Sequence, residues 1–117
     1  MMEIEELQAL VIEALEDVKA TNIKVIDVRD RTSVTDVMII ASANNTRQIK
    51  ALVNSVVEKA KAAGVQPFGV EGVEHAEWAL VDLGDVVVHI MQPSIRDFYN
   101  LEKLWGEHSP AVQDKQG

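Results

Sequence analysis

The sequence predicts a mixed α/β fold, a five-stranded sheet flanked by helices in the order α-β-β-α-β-β-β-α. Three observations lead there. Two long segments repeat apolar residues at helical spacing, and β-branched runs lie between and after them. Two of the strand-to-strand connections are too short for a crossover, so those pairs are expected to be antiparallel.

The first helix is read from residues 3–20, where Ile4, Leu7, Leu10, Val11, Ala14, Leu15 and Val18 form one stripe among Glu and Asp. IKVIDVRD (23–30) and VTDVMIIAS (34–42) are β-branched strands joined by the turn-like RDRTS. Asn44, Asn45 and Thr46 offer caps to a second helix whose stripe is Ile49, Leu52, Val53, Val56, Val57 and Ala60, and Gly64 stops it. A short run PFGV (67–70) supplies a third strand, followed by the acidic segment EGVEHAE. WALVDLGDVVVHIM (78–91) is then a hairpin, ended by Pro93. Ser94 and Asp97 resemble a capping box that opens a last helix, IRDFYNLEKLW (95–105). One domain is expected over 1–106. A mobile tail is expected over 107–117, which is polar, proline-punctuated and without apolar period.

Composition narrows the function classes. Apolar residues make up 47% and charged residues 26%, as in ordinary globular proteins. No apolar run approaches the roughly 20 residues of a membrane span, and the N-terminus MMEIEEL is acidic where a signal peptide is basic, so a cytoplasmic location is expected. Without cysteine there is no disulfide, thiolate zinc site or cysteine nucleophile. A net charge of −8 argues against nucleic-acid binding through a broad basic surface. It suits a basic protein partner, and it also serves plain solubility.

The hairpin has two unlike faces. With Gly84-Asp85 as a two-residue turn, Leu83 pairs with Val86, and successive pairs alternate sides. One side carries Leu83/Val86, Val81/Val88 and Ala79/Ile90, all aliphatic and suited to packing under helices. The other carries Asp82/Val87, Leu80/His89 and Trp78/Met91, an aromatic and aliphatic set with two ionisable groups. Two readings stand side by side. This is either a protein-contact surface with an aromatic anchor, or a half-covered core face in which Asp82 and His89 are hydrogen-bonded to neighbours.

Catalysis finds no support. The three histidines, His75, His89 and His108, form no His-x-His or His-Glu-x-x-His pattern, and Glu71, Glu74, His75 and Glu77 read as a solvated acidic loop. Two-metal nucleotidyl transfer needs carboxylates at alternate strand positions, whereas Asp27/Asp30 and Asp82/Asp85 are three apart. No phosphate loop and no Gly-x-Ser-x-Gly elbow occurs. The competing reading, a nucleotidyltransferase-like enzyme acting on nucleotides, lacks its ligands.

TDVMIIASANNTRQIKAL, then EG (71–72), WALVDLGDVVVHIM and RDFYNLEKLW together resemble the RsfS/Iojap family of ribosomal silencing factors over about residues 5–105. The resemblance rests on the combination of Trp78, Asp82-x-Gly84-Asp85, His89, Arg96, Tyr99 and Leu101-Glu102-x-Leu104-Trp105. It implies a nucleotidyltransferase-like fold without the catalytic carboxylates, and a non-enzymatic factor with no cofactor. The factor binds the large ribosomal subunit at the fourteenth protein in the universal nomenclature, blocks subunit joining and represses translation under nutrient limitation. A homodimer is also implied; no DNA or membrane partner is. The expected partner-binding residues are Trp78, Leu80, Asp82, His89 and Met91 on the mixed hairpin face, with Tyr99, Leu101 and Glu102 from the following helix. Arg96 is expected either to touch the partner or to pair with a carboxylate such as Glu71.

Overall fold

The computed structural model describes residues 2–29, 35–74, 77–101 and 103. Helix α1 (Ile4–Asp17) buries Leu7, Val11, Ala14 and Leu15, and helix α2 (Thr46–Ala62) buries Ile49, Leu52, Val53, Val56 and Ala60. These are the predicted stripes. Asn45 caps α2 through Oδ1, which accepts the Gln48 N–H at 2.8 Å, and Gln48 Oε1 accepts the Asn44 N–H in return at 2.8 Å. The Gln48 amide also donates to the Val18 and Lys19 carbonyls, fastening the end of α1 to the start of α2. Both helices close in the same way. Ala20 N–H donates to Leu15 O, and Val65 N–H to Ala60 O, each across a residue of positive φ, Lys19 (64°) and Gly64 (86°).

The strands are β1 (Thr21–Asp27), β2 (Val37–Ser42), β3 (Gly69–Glu71), β4 (Trp78–Asp82) and β5 (Val86–Met91), laid in the order β1-β2-β5-β4-β3. β1/β2 and β4/β5 are antiparallel as expected, and so is β3/β4; β2 and β5 run parallel at the centre, Val37 opposite Val86 and Ser42 opposite Met91. All six residues of β2 are buried, which is what a strand flanked on both edges and covered on both faces requires. β1 is irregular between Thr21 and Lys24, where Asn22 has φ of 50°.

The sheet separates two apolar clusters. The larger lies under α1 and α2 and takes Val37, Ile39 and Ala41 from β2, Ala79 and Val81 from β4, Leu83, and Val86, Val88 and Ile90 from β5. The smaller, on the opposite face, joins Ile26, Val28, Met38, Ile40 and Met91, with Trp78, Ile95 and Leu101 packed against it.

The last helix departs from expectation. α3 runs Pro93–Tyr99 with Gln92 as N-cap, so Ser94 lies inside the first turn and caps nothing. Pro93 ends the strand and also starts the helix, because its fixed φ and missing N–H suit the first helical position. α3 stops at Asn100, which adopts the left-handed conformation (φ 52°, ψ 54°) and gives its N–H to Arg96 O. Residues 101 and 103 are helical again, with Lys103 N–H directed at the Asn100 carbonyl at 3.1 Å. A single helix over 95–105 is therefore corrected: α3 ends at Tyr99, and helical backbone resumes at Leu101. Leu104, Trp105 and the tail over 107–117 lie outside the described residues.

Candidate contact surface

The hairpin register is the predicted one. Leu83 N–H donates to Val86 O at 2.9 Å, and outward from the turn Asp82 faces Val87, Val81 Val88, Leu80 His89, Ala79 Ile90 and Trp78 Met91. Gly84 has φ of +91°, for which the turn needs glycine; a Cβ there would also push aside the exposed Phe68 ring, 2.6 Å away. Asp82 Oδ1 accepts the Gly84 N–H at 2.9 Å, which makes this carboxylate part of the turn. Gly72 is equally constrained: a Cβ would meet the Trp78 carbonyl oxygen at 2.2 Å, at the first residue of β4.

The aliphatic side of the hairpin is buried under the two long helices. The mixed side is graded. Trp78, Leu80, Asp82 and Val87 are half-buried, His89 is 7% exposed and Met91 fully enclosed. Strand position explains the gradient. β5 lies between β2 and β4, whereas β4 has only the three residues of β3 on its outer side. Met91 thus floors the smaller cluster and does not present itself to a partner. Leu101 is likewise packed, half-buried, against that cluster, and Glu102 lies outside the described residues.

What reaches outward is aromatic. The Trp78 and Tyr99 ring centroids are 4.8 Å apart at 50°, and Phe98 meets Tyr99 edge-on at 5.1 Å and 82°. Tyr99 is 52% exposed and Phe98 80%. Ile95, Phe98, Leu101 and Leu104 recur at helical spacing, which places Phe98 on a core stripe if one helix runs through all four. The break at Asn100 cuts that stripe before Leu101, and within α3 the buried residue is Arg96, which leaves Phe98 on the opposite side of the helix. Arg96 turns inward, its Nη1 donating to Asn22 O at 2.6 Å and Ser42 Oγ at 2.8 Å, so it anchors α3 to the irregularity of β1.

Beneath the rings, Trp78 Nε1–H donates to His89 Nδ1 at 2.9 Å. Burial lowers the His89 pKa from 6.5 to about 4, so the folded protein keeps it neutral where the unfolded chain takes up a proton. The stabilisation is whole above pH 6.5 and is lost as the pH falls from 6.5 to about 4. Over that window it amounts to about 3 kcal/mol. Denaturant unfolding at stepped pH is expected to show that loss, and His89→Leu to flatten it. An unchanged slope in the variant would assign the acid sensitivity to other groups.

Among the described residues, Asp27 and Asp82 are not arranged for two-metal catalysis. Asp27 is held by Arg29 at 2.6 Å, and that hydrogen bond lowers its pKa to about 2. β2 and β5 stand between Asp27 on β1 and Asp82 on β4, a separation of about 14 Å at ordinary strand spacing, against the ~4 Å of a two-metal site. Among the described residues no three His, Asp or Glu side chains gather where a metal ion would be held. No described helix is long and apolar enough to cross a membrane.

A sheet covered on one face by helices and carrying exposed aromatic rings on the other defines a surface of the kind that binds partners, with no metal-holding cluster among the described residues. The model of the family described as "Ribosomal silencing factor during starvation" matches residues 1–117. The Ribosomal silencing factor RsfS of Chromobacterium violaceum is 52% identical over 110 residues, covering 94% of this chain and 90% of that protein. A crystal structure of a C. violaceum protein superposes with a TM-score of 0.88 at 52% identity, covering 92% of this chain and 90% of that one. A mouse protein named "Mitochondrial assembly of ribosomal large subunit protein 1" is 34% identical over 99 residues, 82% of this chain and 43% of its own length. The chain belongs to the ribosomal silencing factor family, which is regulatory and not enzymatic.

Proposed function

We propose that the chain docks on the large ribosomal subunit through its universal protein fourteen, on the surface that faces the small subunit. By occupying that surface it blocks subunit joining and lowers translation when nutrients are short. It works beside ribosomes in the cytoplasm. The observation that carries the reading is the Trp78–Tyr99–Phe98 cluster, in which three aromatic rings meet and Tyr99 and Phe98 stand exposed, whereas Phe68, equally exposed, has no ring beside it among the described aromatic contacts. The family description supplies the starvation context, and the mouse relative's name supplies the large subunit. A net charge of −8 favours approach to a basic ribosomal protein. Trp78, Tyr99 and Phe98 are the anchors, with Leu80 and Asp82 beside them on the hairpin. A homodimer belongs to the same reading.

Co-sedimentation with isolated large subunits, isolated small subunits and joined ribosomes tests this. The protein is expected to pellet with large subunits and to reduce the yield of joined ribosomes. Equal binding to small subunits, or undiminished joining at stoichiometric excess, would refute it.

A further inference from the structure

We propose that His89 is a positioning residue, an acceptor that holds the Trp78 indole in the orientation in which Tyr99 packs against it at a tilt, and not itself a contact to the partner. This rests on the reading of Trp78 as a docking anchor. His89 faces Leu80 across the hairpin and Trp78 faces Met91, so His89 and Trp78 are diagonal neighbours on one side of the sheet. Long side chains span that diagonal. The ring centroids are 5.8 Å apart, and the 2.9 Å bond runs from Nε1–H to Nδ1.

The chemistry of the bond fixes a tautomer. Indole nitrogen only donates, so Nδ1 carries no proton and neutral His89 holds its hydrogen on Nε2. At 7% exposure the imidazole offers a partner almost no surface, whereas the half-buried indole above it has one side against Tyr99. An isolated tryptophan on a sheet face samples several rotamers. Here a polar bond on one side and an aromatic contact on the other leave it one, which removes an ordering cost from docking. His89 serves recognition through Trp78.

Three substitutions separate this from a contact or a packing role. His89→Asn keeps an acceptor oxygen near the Nδ1 position, His89→Leu removes the acceptor at similar bulk, and Trp78→Phe removes the donor while keeping an aromatic ring. The first readout needs no partner: hydrogen exchange of the Trp78 indole N–H, assigned by its disappearance in Trp78→Phe. It is expected to be protected in wild type, largely retained in His89→Asn and lost in His89→Leu. The second is large-subunit binding, weakened about three- to tenfold by His89→Leu, little by His89→Asn, and not further by His89→Leu in the Trp78→Phe background.

Equal losses from His89→Leu in both backgrounds would overturn the proposal, and so would an indole exchanging freely in wild type. Should His89→Leu not fold, His89→Gln, whose amide reaches the Nε2 position and not the Nδ1 position, takes its place with the same expectations. Indole protection that depends on His89 in a wild-type protein that binds no large subunits would refute the docking assignment while leaving the Trp78–His89 bond established.

Discussion

Val88→Asp is expected to unfold the domain. Val88 has no exposed surface, sits in β5 between Ile39 of β2 and Val81 of β4, and belongs to the cluster under α1 and α2. A carboxylate there either stays charged with no partner or is forced neutral, and it leaves its oxygens without donors among aliphatic neighbours. The cost of several kcal/mol is comparable with the ~5–15 kcal/mol that holds a domain of this size together. Circular dichroism should show no cooperative melt at room temperature or above. A variant that melts within a few degrees of wild type would mean that the hairpin's aliphatic side is not the principal core.

The second large effect is on binding. Tyr99→Ala and Trp78→Ala should each weaken large-subunit binding by roughly thirty- to a thousandfold, the range that a ~2–4 kcal/mol aromatic hot spot commands. Their stability costs should differ. Tyr99 is 52% exposed, so its loss is expected to leave the melting temperature nearly unchanged. Trp78 packs against the smaller cluster, and its removal should cost about 1–3 kcal/mol of stability besides. Tyr99→Ala is therefore the cleaner test, with Phe98→Ala, still more exposed, as its companion. Wild-type affinity in both variants would remove the patch from the docking surface.

The sequence made the alternation of the hairpin legible because a two-residue turn fixes register without any tertiary information. Once Leu83 is set opposite Val86, the assignment of Val81, Val88, Ala79 and Ile90 to one core follows from the period of two alone. The degree of covering on the other side was not legible. It depends on which strands flank β4 and β5, and the parallel junction of β2 with β5 is a long-range pairing that no local pattern announces. Hence Met91 and His89, read as surface, lie under it, and Asp82 and His89 are hydrogen-bonded within the chain as in a half-covered core face, while Tyr99 and Phe98 stand exposed. The helical stripe through Ile95 and Phe98 misled for a different reason. Asn100 ends α3 after seven residues, too few to set a face by apolar period, and the helix is oriented by the inward Arg96, with Phe98 on the opposite side. An asparagine between an aromatic pair and LEKLW was the available signal, since asparagine is among the few residues that accept left-handed backbone readily.

The central junction of β2 and β5 also bears on the chain's synthesis. The Thr35 hydroxyl accompanies that junction by donating to the Asp85 carbonyl, a bond between residues 50 apart. As the polypeptide leaves the ribosome, the wholly apolar-facing VMIIA of β2 has β1 to pair with on one edge and nothing on the other until β5 has emerged. Throughout that interval an oily strand carries a row of unpaired amides and carbonyls, the feature that invites pairing between nascent chains. Helix α1, which reaches from β1 to β5 across β2, can cover one face of that strand, and α2, made directly afterwards, packs on α1; neither closes the open edge. The two-stranded unit with its helices therefore waits for the hairpin, and the vulnerable period of this protein's life lasts as long as translation takes to travel from β2 to β5.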